Sequence, residues 1–169
     1  TICRADPQAA GGGPWAVRLR EFLNKVFLDS GVLIAAFRGE QGLRDCALAV
    51  LSEPNLEFWY SPLVKLEVIL QPTHRRRKAE LEFYEEYFSH ASCWGNLDRM
   101  FEIGGREAMK HGISVVDALH VAAAHLARCS LMITTEKPTK PLFRTKLVRV
   151  ASIVGLANST DTVRKLIGA

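Results

Sequence analysis

From Lys25 onward the chain alternates short, mainly apolar runs with longer segments whose apolar residues recur at helical spacing. Val26 to Leu28, Leu56 to Tyr60, Leu131 to Thr134 and Leu147 to Val150 are runs of the first kind and predict strands. Helices are predicted around 31–37 and 41–52, over 76–90 with Leu81, Tyr84 and Phe88 on one stripe, over about 97–110, and over about 114–127. Ser61 and Pro62 read as the N-cap and first residue of a further helix, which Pro72 is expected to stop. A short helix near 160–167 would close the chain. Apolar strands alternating with helices imply a parallel sheet covered on both faces, the Rossmann-like α/β/α sandwich.

Residues 1–24 read as an N-terminal extension to the domain of residues 25–169. Gly11, Gly12, Gly13 and Pro14 break any regular structure there, and Trp15, Leu19, Phe22 and Leu23 then space as a short amphipathic helix. The 169 residues suit one domain with a sizeable core. No apolar run approaches membrane-spanning length, and no secretory signal is expected. Cys3, Cys46, Cys93 and Cys129 are scattered without a CxxC pair, which argues against a zinc site or a disulfide framework and for the cytoplasm as compartment.

Four carboxylates stand in apolar surroundings: Asp29 in KVFLDSG, Glu67 in SPLVKLEVIL, Asp117 in ISVVDALHVAAA and Glu136 in LMITTEKP. A buried ionised carboxylate needs a partner. Glu67 falls on the stripe of Leu63, Leu66 and Leu70, expected to face inward, although a glutamate there also snorkels to water. Asp117 fits the third position of a capping box opened by Ser114, and the apolar helix around it is expected to be buried. Asp29 ends the first strand, where open α/β sheets bind ligands; Asp29 or Ser30 would equally serve as a helix N-cap. Glu136 follows the strand ending at Thr134, and by itself reads as an ordinary loop acid. Four such groups side by side demand protons or cations, and hard oxygen donors select Mg²⁺ or Mn²⁺.

The charge balance agrees. Net charge is +4; with four acids gathered in one site, 22 basic residues face 14 remaining acids, a balance of +8 that suits a polyanion. Lys137, Lys140 and Arg144 follow Glu136 with no acid among them and are candidates for phosphate contacts. Glu80, Glu82, Glu85 and Glu86 read as an exposed helix face; His120, one turn past Asp117, could support the site from behind but reads first as a satisfied buried histidine.

Together these motifs resemble those of PIN-domain nucleases, in particular VapC-like toxins of toxin–antitoxin pairs, over roughly residues 25–150. The resemblance implies a mostly parallel five-stranded sheet, and Mg²⁺ or Mn²⁺ held by Asp29, Glu67, Asp117 and Glu136. It also implies hydrolysis of RNA by an in-line, metal-activated water. Asp29 and Asp117 would be direct ligands, with Glu67 and Glu136 nearer the water and a second metal. Ser30 and Thr134 match hydroxyl positions that assist. A small antitoxin would block the site, and a homodimer is expected. The pattern departs at Glu136, where the family commonly has aspartate, leaving open a PIN-like module that binds RNA or protein without cutting. A phosphotransfer domain with Asp29 as nucleophile ranks lower, because Ser30, Gly31 and Val32 follow it instead of a second acid.

Overall fold

The computed structural model of the chain describes residues 25–156 and Leu166. Five strands, β1 (Lys25–Leu28), β2 (Glu57–Tyr60), β3 (Ser92–Cys93), β4 (Leu131–Thr134) and β5 (Arg149–Ser152), form one sheet in the order β3-β2-β1-β4-β5, with every pairing parallel. The helices are α1 (Ser30–Arg38), α2 (Gln41–Leu51), α3 (Pro62–His74), α4 (Lys78–His90), α5 (Leu97–His111) and α6 (Val115–Leu126). α1 to α4 pack among themselves, while α5 and α6 pack on each other. This is the α/β sandwich that the periodicity predicts.

The central strands β1 and β4 are buried along their whole apolar runs, Val26, Phe27 and Leu28 against Leu131, Met132 and Ile133. Chain order reverses between them, since β1 leads outward to β2 and β3 on one side and β4 to β5 on the other. A parallel sheet opens a crevice at the carboxyl end of such a switch. The residue after β1 is Asp29, and Thr134 ends β4 beside it.

Several local expectations are corrected. α3 continues through Pro72 to His74. So close to the helix end the missing N–H spares only the Val68 carbonyl, the ring is buried, and the Thr73 hydroxyl donates to the Ile69 carbonyl at 2.6 Å. On the same helix the buried stripe is Val64, Val68 and Pro72, whereas Leu66 and Leu70 are 48% and 61% exposed. The segment is apolar on nearly all sides, so spacing alone did not choose its inward face. β5 begins two residues later than its apolar run, because Val148 is buried before the ladder to β4 starts at Arg149. Two elements had no apolar signal: β3, only two residues long, and the 3₁₀ turn Pro141–Arg144. Glu80 is 1% exposed instead of lying on the solvated face. Tyr84 Oη donates to it at 2.9 Å, and Arg77 and Arg38 lie 3.2 and 3.6 Å away. The amphipathic stretch of residues 15–23 lies outside the described residues, as does the closing helix over 160–167 apart from Leu166, which is helical and buried.

α5 and α6 approach closely at Gly104, where an added Cβ would stand 2.9 Å from Leu119 Cδ2 and 3.0 Å from the Ala118 carbonyl oxygen. That oxygen belongs to the backbone of α6 and cannot yield without moving the helix. Gly104→Val is expected to cost about 1–3 kcal/mol of overpacking, read as a fall in thermal midpoint of roughly 2–4 °C per kcal/mol. An unchanged midpoint would show that the two helices separate freely there.

Candidate metal centre at the strand-end crevice

Asp29 occupies the N-cap position of α1, yet its carboxylate makes no capping hydrogen bond. The first turn is closed by the backbone, Val32 N–H donating to the Asp29 carbonyl at 3.1 Å. The carboxylate turns into the crevice. There the Thr134 hydroxyl donates to Oδ2 at 2.7 Å, and the Ser30 hydroxyl lies 3.4 Å from Oδ1. Asp29 is 6% exposed. The strand pairing fixes this geometry, because Asp29 N–H also donates to the Ile133 carbonyl of β4 at 3.0 Å.

Glu67 reaches the same place from α3. It sits on the outward side of that helix, its side chain 37% exposed, and its Oε2 lies 2.8 Å from Nε2 of His120. His120 Nε2 is also 3.8 Å from Asp29 Oδ1. One ligand atom each from Asp29, Glu67 and His120 lies within 4.8 Å of the other two. Residues separated by as many as 91 positions thus meet in one small volume. His120 was expected to be a buried, satisfied histidine; it is buried, but its Nδ1 has no hydrogen-bond partner among the described residues. The signal available was its place one turn beyond Asp117, on the same side of α6.

Ser114 caps α6 as predicted: Asp117 N–H donates to Ser114 Oγ at 3.3 Å, and that hydroxyl in turn donates to Asp117 Oδ2 at 2.7 Å. It is only half-buried, because Val115 and Val116 beside it are exposed, contrary to the expectation for the first turn of this helix. Its charge still reaches the crevice and acts on both Asp29 and His120. Glu136 takes another direction. Its N–H donates to Thr134 Oγ1 at 3.1 Å, while its carboxylate lies 3.8 Å from Lys140 and outside the group of three. Lys137 is exposed, and exposed Arg144 donates to the His111 carbonyl at 3.2 Å.

The electrostatics show a site with excess negative charge. Burial is the largest influence on Asp29 and pushes its carboxyl above the ordinary 3.8; His120 and the Thr134 hydroxyl pull it down, and Asp117 and Glu67 push it up again. For Glu67 burial also acts upward and is the largest single influence. The hydrogen bond and charge of His120 and the Ser30 hydroxyl together outweigh it, leaving the carboxyl below its ordinary range. Burial alone would lower His120, but the Glu67 hydrogen bond and the charges of Asp29, Glu67 and Asp117 raise it above 6.5. A desolvated carboxylate crowded by two others is chemically suited to a cation. The donor set fits a hard divalent ion, with carboxylate oxygens from Asp29 and Glu67 and a third acid near by.

Comparison with known proteins agrees with the geometry. The model of one family, the PIN domain, matches residues 26–137. No curated protein matches in sequence. Among solved structures, a toxin–antitoxin complex from Klebsiella pneumoniae aligns with a TM-score of 0.57 at 20% identity, covering 73% of this chain and 94% of that one. VapBC2 from Rickettsia felis, bound to a DNA fragment from its promoter, aligns with a TM-score of 0.56 at 12% identity, covering 76% and 98%. At these identities both matches carry the fold.

Proposed function

The chain belongs to the PIN-domain family, whose members are generally nucleases that use divalent metals, and from that premise we propose that it is a Mg²⁺- or Mn²⁺-dependent endoribonuclease, the toxin of a toxin–antitoxin pair. The observation that carries this reading is the Asp29 carboxylate. It is buried at the topological switch, aimed away from its own helix, and gathered with Glu67 beside His120. Asp29 and Glu67 would hold the ion, with Asp117 in reach from the start of α6. Bound there, the ion would supply an activated water and charge neutralisation at the scissile phosphate. The protein's own share is to fix the acids: Thr134 orients Asp29, Ser114 orients Asp117, and the Ser30 hydroxyl lies against both Asp29 and Glu67. Lys137, Lys140 and Arg144 lie just past the β4 strand end and would contact phosphates flanking the cut.

Exposed Leu66 and Leu70 on α3 and Val115 and Val116 on α6 offer apolar contact area on the helices that carry Glu67 and Asp117. They suit a protein partner, an antitoxin or a second copy of the chain, in the cytoplasm. Among the described residues no helix is long and apolar enough to cross a membrane.

The test is incubation with a panel of single-stranded and structured RNAs in Mg²⁺, Mn²⁺ or chelator, with DNA of the same sequences alongside. Metal-dependent cleavage of RNA within the strand is expected, with none in chelator. A second reading, a PIN-like module that binds without cutting, is favoured by one observation: Glu136 is paired with Lys140 instead of joining the other acids. Bound metal and bound RNA without cleavage would select it.

A further inference from the structure

The crevice contains an imidazole that the four acids do not explain. His120 is 1% exposed, and its ring centroid lies 5.9 Å from that of Phe27. Nε2 faces Glu67 Oε2 at 2.8 Å, whereas Nδ1 meets no hydrogen-bond partner among the described residues. Two roles compete for such a ring, a third metal ligand or a donor that fixes a ligand.

The two nitrogens decide between them. A neutral imidazole bound to an ion through Nε2 carries its proton on Nδ1, and metal-bound histidines almost always pass that proton to a carboxylate, carbonyl or water. Here that N–H would point into a buried environment with no protein acceptor among the described residues, the costly arrangement for a donor. The other tautomer places the proton on Nε2, where a carboxylate stands ready, and leaves only a bare lone pair at Nδ1. We propose that His120 is a positioning residue: as the Nε2–H tautomer it donates to Glu67 and holds that carboxylate facing Asp29, without ligating the ion itself.

Glu67 needs such a hold. It comes from the outward side of α3 with more than a third of its side chain in solvent, and apart from His120 only the Ser30 hydroxyl restrains it among the described residues. Asp29, by contrast, is pinned by Thr134 and the strand ladder. The inference rests on the metal-site reading above, and the experiment separates the two. Mn²⁺ binding is measured by calorimetry on the full chain and on His120→Gln, whose amide can still donate, and His120→Leu, which cannot. In parallel, pulsed electron paramagnetic resonance of the Mn²⁺-loaded wild type looks for directly bound nitrogen, and long-range ¹⁵N–¹H spectra report the tautomer.

His120→Leu is expected to weaken Mn²⁺ binding by about tenfold or more, and His120→Gln to stay within about threefold of wild type, about half a decade on the same scale. No nitrogen coupling to Mn²⁺ is expected, and the proton should be on Nε2. Nitrogen bound to Mn²⁺, a proton on Nδ1, or equal losses in the two folded variants would overturn the proposal. The wild-type spectra decide it even if neither variant folds. A wild type that binds no Mn²⁺ would instead remove the metal site, and the positioning role with it.

Discussion

Asp29→Asn is expected to abolish divalent-cation-dependent RNA cleavage, by about a thousandfold or more, while leaving the metal-free fold at least as stable as the wild type. The first half follows from the charge lost. A metal's stabilisation of transition-state charge is worth several kcal/mol, and about 4 kcal/mol corresponds to three orders of magnitude in rate. An amide oxygen in place of the carboxylate removes the one acid among the described residues that is buried, oriented and aimed at the crevice. The second half follows from burial. The folded state holds the Asp29 carboxyl above 3.8, mainly because burial penalises its charge. A group raised in this way contributes its full stability below its unfolded value and loses it as pH rises through the folded one. At neutral pH the metal-free wild type therefore carries a cost that asparagine lacks, and the asparagine oxygen still accepts from Thr134. Cleavage of a defined RNA and thermal melts in chelator at pH 7.5 measure the two halves. Unchanged cleavage would remove Asp29 from the chemistry. A melt several degrees lower would mean that the charge is compensated in a way the geometry does not contain.

What could be read beforehand, and what could not, divides along the range of the interactions involved. β1 and β4 were legible because buried parallel strands are continuous apolar runs, and Asp29 was legible because it breaks such a run at its carboxyl end. Ser114 and Asp117 were legible because a helix cap is set by three residues of local spacing. The face of α3 was not: Leu66 and Leu70 make as good a stripe as Val64 and Val68, and only packing in three dimensions chose between them. The burial of Glu80 is hidden for the same reason. A glutamate among glutamates looks solvated until Arg38 arrives from a helix forty residues earlier. His120 is the instructive case. Its neighbour Asp117 stands out in the sequence, yet its contact is Glu67, fifty-three positions away on another helix, and no local pattern encodes that meeting. Glu136 divides the two kinds of reading. By its own position it is a loop acid, and only the family resemblance implies a ligand; its carboxylate lies 3.8 Å from Lys140 and outside the group of Asp29, Glu67 and His120.

The ion should also appear in stability, and its effect should grow with pH. With Mn²⁺ at a hundredfold excess over its dissociation constant, linkage gives about 2.7 kcal/mol of stabilisation. For a domain of this size that is roughly 5–10 °C in thermal midpoint. The sign of the pH dependence comes from the groups that must surrender protons. Asp29 and His120 are both raised in the metal-free fold, so each keeps its proton to a higher pH than it would unfolded. Their stabilising contributions are complete below 3.8 and 6.5 respectively, and are lost as pH climbs through the folded values. A cation against the same carboxylates expels the Asp29 proton and repels an imidazolium, so binding releases protons and tightens with rising pH. Glu67 works the opposite way. Its lowered carboxyl contributes fully above 4.5 and loses that contribution only as pH falls through the folded value, so it is silent in the neutral range. The Mn²⁺-induced rise should therefore be small at pH 5.5, widen as pH climbs past 6.5, and level off once His120 is neutral in the metal-free protein as well. In Asp29→Asn it should be nearly absent at every pH. An equal rise at pH 5.5 and pH 8, or one that survives the loss of Asp29, would place the ion somewhere other than this crevice.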